Sequence, residues 1–390
     1  MITVKEVLTK RDFKQFVTFP FSLYKDNPYW IPPIINDELA GFDKTKNPAF
    51  EHAQAQFFLA YKNNIIVGRV AAIINQTEIN QQGLKKMRFG WFDVVDDVEI
   101  TKVLLDKVHE IGKQNKLEFI EGPVGFSNLD KVGVLTEGFD QLGTMITWYN
   151  HPYYKEHLET LGFVKEKEYL EWKFPFSNVK PEFFKKANEL VKKRYQLKSI
   201  NFTSTKEILP YVDKMFDLFN DSYAKLSSFV PISDSQKEYF KKKYISFINP
   251  EYITYVADKN DQLVGFAIVM PSFSQALQKA KGRLFPFGMF HLLKAKRQSK
   301  EVIFYLIGIH PDYQNKGVTA IIFNDYYDAF TKLGIENCIR TPELSDNIAI
   351  QQIWKHFDPK FIKKEEHTVK IYNATILQCN YYRRYSTVYV

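Results

Sequence analysis

The chain of 390 residues is 45% apolar and 25% charged, which supplies more than one core and excludes disorder as the main state. No apolar run reaches the ~20 residues of a membrane-spanning helix, Met1–Glu6 has no apolar leader core, and two cysteines, Cys338 and Cys379, argue against a disulfide scaffold or structural zinc; a cytoplasmic protein is expected. The net charge of +8 is uneven. Residues 1–175 carry 21 Lys and Arg against 24 Asp and Glu, a net of −3; residues 176–390 carry 32 against 21, a net of +11. An anionic ligand or surface, or simply a solvated basic face, therefore belongs to the second half.

In chain order, a β-like run from Ile2 to Val7 precedes a helical pattern from Lys10 to Leu23, whose Phe13, Phe16 and Val17 share one face. Trp30-Ile31-Pro32 and Asn47-Pro48 follow. A hairpin is expected from Phe57 to Tyr61 and Ile65 to Ala71 around Lys62-Asn63-Asn64. Gly68 in its second strand suggests a bulge or close approach of another backbone. A fourth strand, Met87 to Phe92, leads into Asp93-Val94-Val95-Asp96-Asp97 and a helix from Val98 to about Gln114. The stretch from Glu121 to Tyr154 is glycine-rich, aromatic and irregular; it reads as a cleft lining or as a packed structural loop. His157-Leu158-Glu159-Thr160-Leu161-Gly162-Phe163 ends the half. The prolines and polar residues of Lys173 to Pro181 suit a linker.

The same order returns roughly 200 residues later, far too long a period for a solenoid. A short strand, Leu197 to Phe202, precedes a helix from Thr205 to Tyr223, with Ile208, Tyr211 and Val212 in the places of Phe13, Phe16 and Val17. Phe229-Val230-Pro231 and Asn249-Pro250 come next. The hairpin is Tyr252 to Val256 and Gln262 to Ile268 around Asp258 to Asp261, with Gly265 in place of Gly68. Two related domains, 1–175 and 176–390, are expected, each an α/β (α+β) unit with a mixed, mostly antiparallel sheet flanked by helices.

In the second half an apolar strand, Val302 to Ile309, runs through His310-Pro311-Asp312-Tyr313 into Gln314-Asn315-Lys316-Gly317-Val318-Thr319. A helix follows from Val318 to about Leu333 and stops at Gly334. Strand, short glycine loop and helix N-terminus form a phosphate-binding construction: unpaired N–H groups leave the first turn and the helix dipole adds positive potential. Gln314 to Thr319 resembles the acyl-CoA signature of the GNAT superfamily of N-acetyltransferases, with Thr319 where that pattern has Gly or Ala. The fifth strand, Glu336 to Arg340, then Asn347 with a helix to Phe357, and a closing segment, Thr368 to Ala374, fit the same order. The resemblance covers residues 197–375.

It implies that amides of Gln314, Asn315, Lys316, Gly317, Val318 and Thr319 hold the pyrophosphate of acetyl-CoA or another acyl-CoA. It implies further that Leu306, Ile307, Gly308 and Ile309 meet the pantetheine arm, and that Asn347 belongs to the cofactor site. The first half looks like the same fold without the signature: no glycine and three carboxylates, Asp93, Asp96 and Asp97, stand where the phosphate would lie. Tandem GNAT folds resemble N-myristoyltransferase-like enzymes and aminoacyl transferases that use charged tRNA; no motif selects either.

The implied activity is acyl transfer to a small-molecule or peptide amine, with tRNA-dependent aminoacyl transfer and non-catalytic acyl-CoA binding as alternatives. Such chemistry needs a proton acceptor, an oxyanion donor and often an acid for the thiolate. The position of the usual tyrosine acid, counted from Asn347, holds Trp354, whose indole cannot serve. Glu343, past the fifth strand, is the candidate base, and Tyr305 is a further catalytic candidate. His310 reads as a turn residue and Cys338 as a buried thiol. The eight histidines lack paired metal-ligand spacing, so no metal is expected. The basic stretch Lys279 to Lys300, interleaved with Leu284, Phe285, Phe287, Met289, Phe290, Leu292 and Leu293, reads as an amphipathic lid, an anionic-ligand surface, or a helix packed on its own domain.

Overall fold

A computed structural model describes residues 1–127, 129–224 and 229–372. Cys379, Asn373 and Ala374, the last two in the expected closing segment, lie outside the described residues. The chain runs through β1 (Ile2–Glu6), α1 (Lys10–Leu23), α2 (Ile35–Gly41), β2 (Ala53–Lys62), β3 (Ile65–Asn75), α3 (Gln76–Gln82), β4 (Lys86–Val94), α4 (Val98–Gln114), β5 (Phe119–Gly122), β6 (Val134–Glu137), α5 (Tyr153–Thr160) and β7 (Val164–Pro175). It continues through α6 (Glu182–Tyr195), β8 (Lys198–Asn201), α7 (Thr205–Ile208), α8 (Val212–Tyr223), α9 (Asp234–Tyr244), β9 (Ile253–Ala257), β10 (Leu263–Pro271), α10 (Ser274–Ala280) and α11 (Gly288–Gln298). The last elements are β11 (Glu301–Ile309), α12 (Val318–Leu333), β12 (Asn337–Leu344), α13 (Ile348–Trp354) and β13 (Lys360–Ile371).

Two compact units result. The first gathers Met1–Tyr169, Leu277–Gly288 and the chain from Lys363; the second gathers Leu170–Ala276 and Met289–Ile362. The strand order of unit 1 is β1-β2-β3-β4-β5-β13 and that of unit 2 is β8-β9-β10-β11-β12-β7. The closing strand of unit 1 thus comes from the far end of the chain, and that of unit 2 from the end of the first half. β13 pairs antiparallel with β5, Thr368 opposite Gly122 and Ile371 opposite Phe119. Lys173–Pro175, read from sequence as the start of a linker, ends β7, and Phe174 is buried in the core of unit 2.

β4 with β5 and β11 with β12 run parallel, while β1 to β4, β5 with β13, and β8 to β11 pair antiparallel. Between the two strands of each parallel pair the chain runs through one long helix, α4 or α12, and a glycine in the neighbouring hairpin admits each. A Cβ on Gly68 would stand 2.8 Å from Leu104 Cδ1 and 3.1 Å from Ile100 Cγ2 on α4. One on Gly265 would stand 2.9 Å from Val318 Cγ1 on α12. Ile100, Leu104 and Val108 fill one core, and Val318, Ile321, Ile322 and Phe330 the other. The helix expected from Thr205 to Tyr223 is interrupted at Leu209–Tyr211, where Pro210 has no N–H to continue it.

Candidate functional site in the second unit

Strand β11 bends where it leaves its neighbours. Leu306 faces Ile268 of β10 but Phe304 faces Val269, so Tyr305 is an extra residue, a β-bulge. On the other side, β11 pairs with β12 only from Glu301–Asn337 to Phe304–Arg340. Beyond Arg340 the two strands part and leave an open edge along Leu306 to Ile309. His310 N donates to Val264 O at 2.9 Å, so alternate residues point toward β10, and Ile307 and Ile309 turn their N–H and C=O toward the opening. Helix α8 reaches that edge: Tyr223 Oη donates to Ile307 O at 3.1 Å and Ser222 Oγ to Ile309 O at 3.1 Å. Neither residue was singled out from the sequence, although both continue the buried face of Met215, Leu218 and Phe219 at helical spacing. A polar end to an apolar stripe was the available signal.

The loop after β11 is held by its own backbone. Pro311–Tyr313 forms one 3-10 turn, capped by His310 Nδ1, which accepts from Asp312 N at 3.3 Å. That is the turn role expected of His310. Gln314 Nε2 reaches back to Ile309 O at 3.3 Å. Asn315 (φ +58°) and Gly317 (φ +79°) are left-handed on either side of Lys316, the alternation that turns successive N–H groups into one concavity. Gly317 is the N-cap of the 16-residue α12, and no side chain caps that helix. Ala320 N donates to Gly317 O at 2.9 Å, and Gln314 N and Lys316 N donate to Pro311 O and Tyr313 O at 3.3 Å, so the donors left for a ligand at this start are the amides of Asn315, Gly317, Val318 and Thr319. Lys316 Nζ lies 5.5 Å from the ring of Tyr195 and 5.3 Å from that of Tyr313, and Arg194 lies 5.4 Å from Tyr195. Lys192, Lys193 and Arg194 form the last turn of α6. The loop is therefore an exposed donor surface with cations beside it.

Glu343 stands inside β12, not past it as expected, because the strand runs on to Leu344. Its carboxylate accepts from Arg340 Nε at 3.1 Å and also from the Arg340 terminal nitrogen. Burial raises the Glu343 pKa above the usual carboxylate range, and Arg340 opposes that rise. Burial pushes the Tyr223 phenol up to about 12, its bond to Ile307 O opposes, and the Glu343 charge adds to the rise. The Glu343 charge is thus felt at the Tyr223 hydroxyl. The Arg340 guanidinium lies 5.2 Å from the Trp354 ring and 5.7 Å from that of Trp172.

Asn347 Oδ1 accepts from Ile350 N at 3.3 Å and so caps α13. Trp354 is 2% exposed among Phe174, Phe304, Phe323 and Phe357; it is a core residue and no acid. Cys338 is buried, and burial pushes its thiol pKa up. The cluster with metal-ligand reach among the described residues is Glu121, Glu166 and His367 in unit 1. Lys86 Nζ already sits 2.8 Å from Glu121 Oε1, with Arg88 Nε at 3.6 Å, so the chain's own cations neutralise it.

Unit 1 repeats the construction and closes it. Asp93 faces Arg69 and Gly90 faces Ala71, so Trp91 and Phe92 bulge opposite Val70. β4 pairs with β5 only from Lys86 to Arg88. The opening is filled by the irregular stretch after β5, which takes the structural role weighed for it. Val124 N donates to Phe89 O at 2.8 Å, and Trp148 and Phe126 lie against Trp91 at 5.9 and 5.6 Å. Val94 N donates to Tyr154 Oη at 2.9 Å, and Tyr153 Oη donates to Val94 O at 2.7 Å. The start of α4 is capped by Asp97, which accepts from Glu99 N at 3.1 Å and pairs with Lys62 at 2.8 Å. Asp93, expected in the loop, lies within β4 and is buried between Arg69 Nε and Tyr24 Oη, both at 2.7 Å.

No family model matches the chain. It is 28% identical to protein YghO of Escherichia coli (strain K12) over 328 residues, 82% of this chain and 81% of that protein. It is 24% identical to the bacterial ceramide synthase of Caulobacter vibrioides over 297 residues, 75% of this chain and 76% of that one. Among solved structures, a tandem GNAT protein from the clavulanic acid biosynthesis pathway superposes with a TM-score of 0.57 at 9% identity, covering 96% of this chain and all of that one. The fold is that of a tandem GNAT protein, as the sequence motifs implied.

Proposed function

We propose that this chain is an acyl-CoA-dependent N-acyltransferase with its donor site in unit 2. The observation that carries this reading is the uncapped start of α12 at Asn315–Gly317 beside the open edge of β11. An anion is favoured at such a helix start, so the pyrophosphate of an acyl-CoA would meet the amides of Asn315, Gly317, Val318 and Thr319, with the Lys316 and Arg194 side chains beside it; the expected amides of Gln314 and Lys316 are taken by Pro311 O and Tyr313 O. Of Leu306 to Ile309, the outward-facing Ile309 N–H is the main-chain group that the edge offers to the extended amide-containing arm, since the outward carbonyls are held by Tyr223 and Ser222. In the transfer itself an amine attacks the thioester carbonyl, the carbonyl oxygen gains charge, and the thiolate leaves. The Ile307 N–H on the open edge serves as the oxyanion donor. Glu343, its pKa raised by burial, accepts the ammonium proton. Tyr223 holds the Ile307 carbonyl and so the edge in place. Without a tyrosine acid at Trp354, the thiolate leaves unassisted.

Ceramide is the amide of a fatty acid with a long-chain amino alcohol, so the name of the Caulobacter relative describes the same bond. Long-chain amino alcohols are therefore the first acceptor class to test, ahead of amino sugars and peptide N-termini. The test is release of free thiol from acetyl-CoA and longer acyl-CoAs with each acceptor, for the wild type and for Lys316→Glu, an exposed change that leaves the core alone. Acceptor-dependent thiol release that Lys316→Glu weakens supports the reading. Melting-temperature shifts with acyl-CoA but no thiol release with any amine would make the chain a binding protein, and no shift would overturn the donor site.

A further inference from the structure

Between Gln262 and Lys300 the chain has seven Lys and Arg and no Asp or Glu. The middle of this stretch is the turn Arg283–Phe287 and helix α11. Of the outcomes weighed from sequence, burial of the apolar residues on the chain's own core applies only to Leu292, which is 7% exposed. Phe285 is 82% exposed, Phe287 70%, Phe290 65% and Leu293 46%. On α11 the exposed residues Phe290, Leu293, Lys294 and Arg297 recur at helical spacing, so one stripe faces water, apolar at its start and cationic at its end. Phe287 immediately precedes α11 in the chain. The turn is anchored: Gln278 Nε2 donates to Pro28 O at 2.7 Å and to Trp30 O at 3.1 Å, and Ile35 N donates to Gly282 O at 2.9 Å. The turn that carries Phe285 and Phe287 is therefore held within its own unit.

Three exposed phenylalanines and a leucine within nine residues form a concentration that solvated surfaces avoid. An interfacial helix has this composition: apolar side chains that enter the acyl boundary, ringed by cations that meet anionic headgroups. We infer that Arg283–Gln298 docks the protein on an anionic bilayer surface, with Phe285, Phe287, Phe290 and Leu293 inserting and Lys281, Arg283, Lys294 and Arg297 on the headgroups. Charge selects this occupant: a stretch of 39 residues without a carboxylate repels its own copy and fits a polyanionic plane.

The experiment is flotation of the full chain with vesicles of phosphatidylcholine alone or with about one-third phosphatidylglycerol, at ~0.1 M and ~1 M salt. The inference expects binding to the anionic vesicles at low salt, at least tenfold weaker on neutral vesicles. Phe287→Ser with Phe290→Ser lowers binding at least tenfold, and Lys294→Gln and Arg297→Gln lower it about fivefold each. All four positions are exposed, and unchanged melting temperatures confirm that the variants fold. Vesicle binding that survives the phenylalanine pair, or no binding at low salt, overturns the inference. So does a self-association of the chain that the same pair abolishes, because the occupant is then a second copy.

Discussion

The two repeats share one architecture and differ in what fills it. Each has a bulged central strand, a parallel neighbour that parts from it, and a long helix admitted by a glycine. In unit 1 the gap is taken by Val124, Phe126, Trp148, Tyr153 and Tyr154, and the helix start by the Asp97 carboxylate. In unit 2 the corresponding edge meets the two hydroxyls of α8, and the helix start has no cap. One copy carries its own occupant covalently; for the other we propose that a ligand takes that place. The fold supplies an opening; local sequence decides whether it is a site.

The largest expected effect comes from giving unit 2 the carboxylate of unit 1. Gly317→Asp puts an anion at the loop and a Cβ 3.0 Å from Val191 Cγ2. A ligand at ~100 times its dissociation constant adds ~2.7 kcal/mol to the wild type; the variant is expected to lose that stabilisation entirely, read as the acyl-CoA-induced shift in melting temperature. Next comes Glu343→Gln, expected to lower kcat about 100-fold, the low end for a general base. A base acts deprotonated, so the wild-type rate should fall as pH drops through the raised pKa of Glu343, and that acid limb should vanish in the variant. A pH–rate profile that keeps the limb assigns it to another group.

The two admitting glycines make a matched pair. Gly68→Ala and Gly265→Ala should each destabilise by about 1–3 kcal/mol through overpacking, measured by denaturant unfolding. Only Gly265→Ala should weaken acyl-CoA, because its Cβ displaces Val318 at the start of α12. The smallest effect is Asp97→Ala. Loss of an N-cap costs about 1 kcal/mol. The bond from Lys62 and those from the first-turn amides hold the Asp97 pKa below its ordinary value. Its contribution is present above the unfolded carboxylate pKa and lost as pH falls through the lowered folded one. Wild type and variant should therefore differ in melting temperature at pH 7 and converge in strong acid.

Much of this was legible where the signal is local. Helix α12 begins at Val318 and ends before Gly334 as read, because a left-handed glycine bounds it at each end. The repeat of hairpin, glycine and long helix was legible for the same reason. The extension of β12 through Pro342 to Glu343 was not, since a proline reads as a strand end. Past Arg340 the β11 partner has left, and an unpartnered edge tolerates proline. The source of each closing strand was also hidden, because pairing of Thr368 with Gly122 leaves no trace in either segment. Ser222 and Tyr223 belong to the site only because β11 parts from β12, a tertiary event.

The central claim is that the opening of unit 2 is a donor site and that of unit 1 is not. Titration calorimetry of acetyl-CoA and a long-chain acyl-CoA into the full chain tests it most directly. The account predicts one site per chain, absent in Gly317→Asp and intact in Asp97→Ala. Two sites per chain, or binding that survives Gly317→Asp, would contradict it.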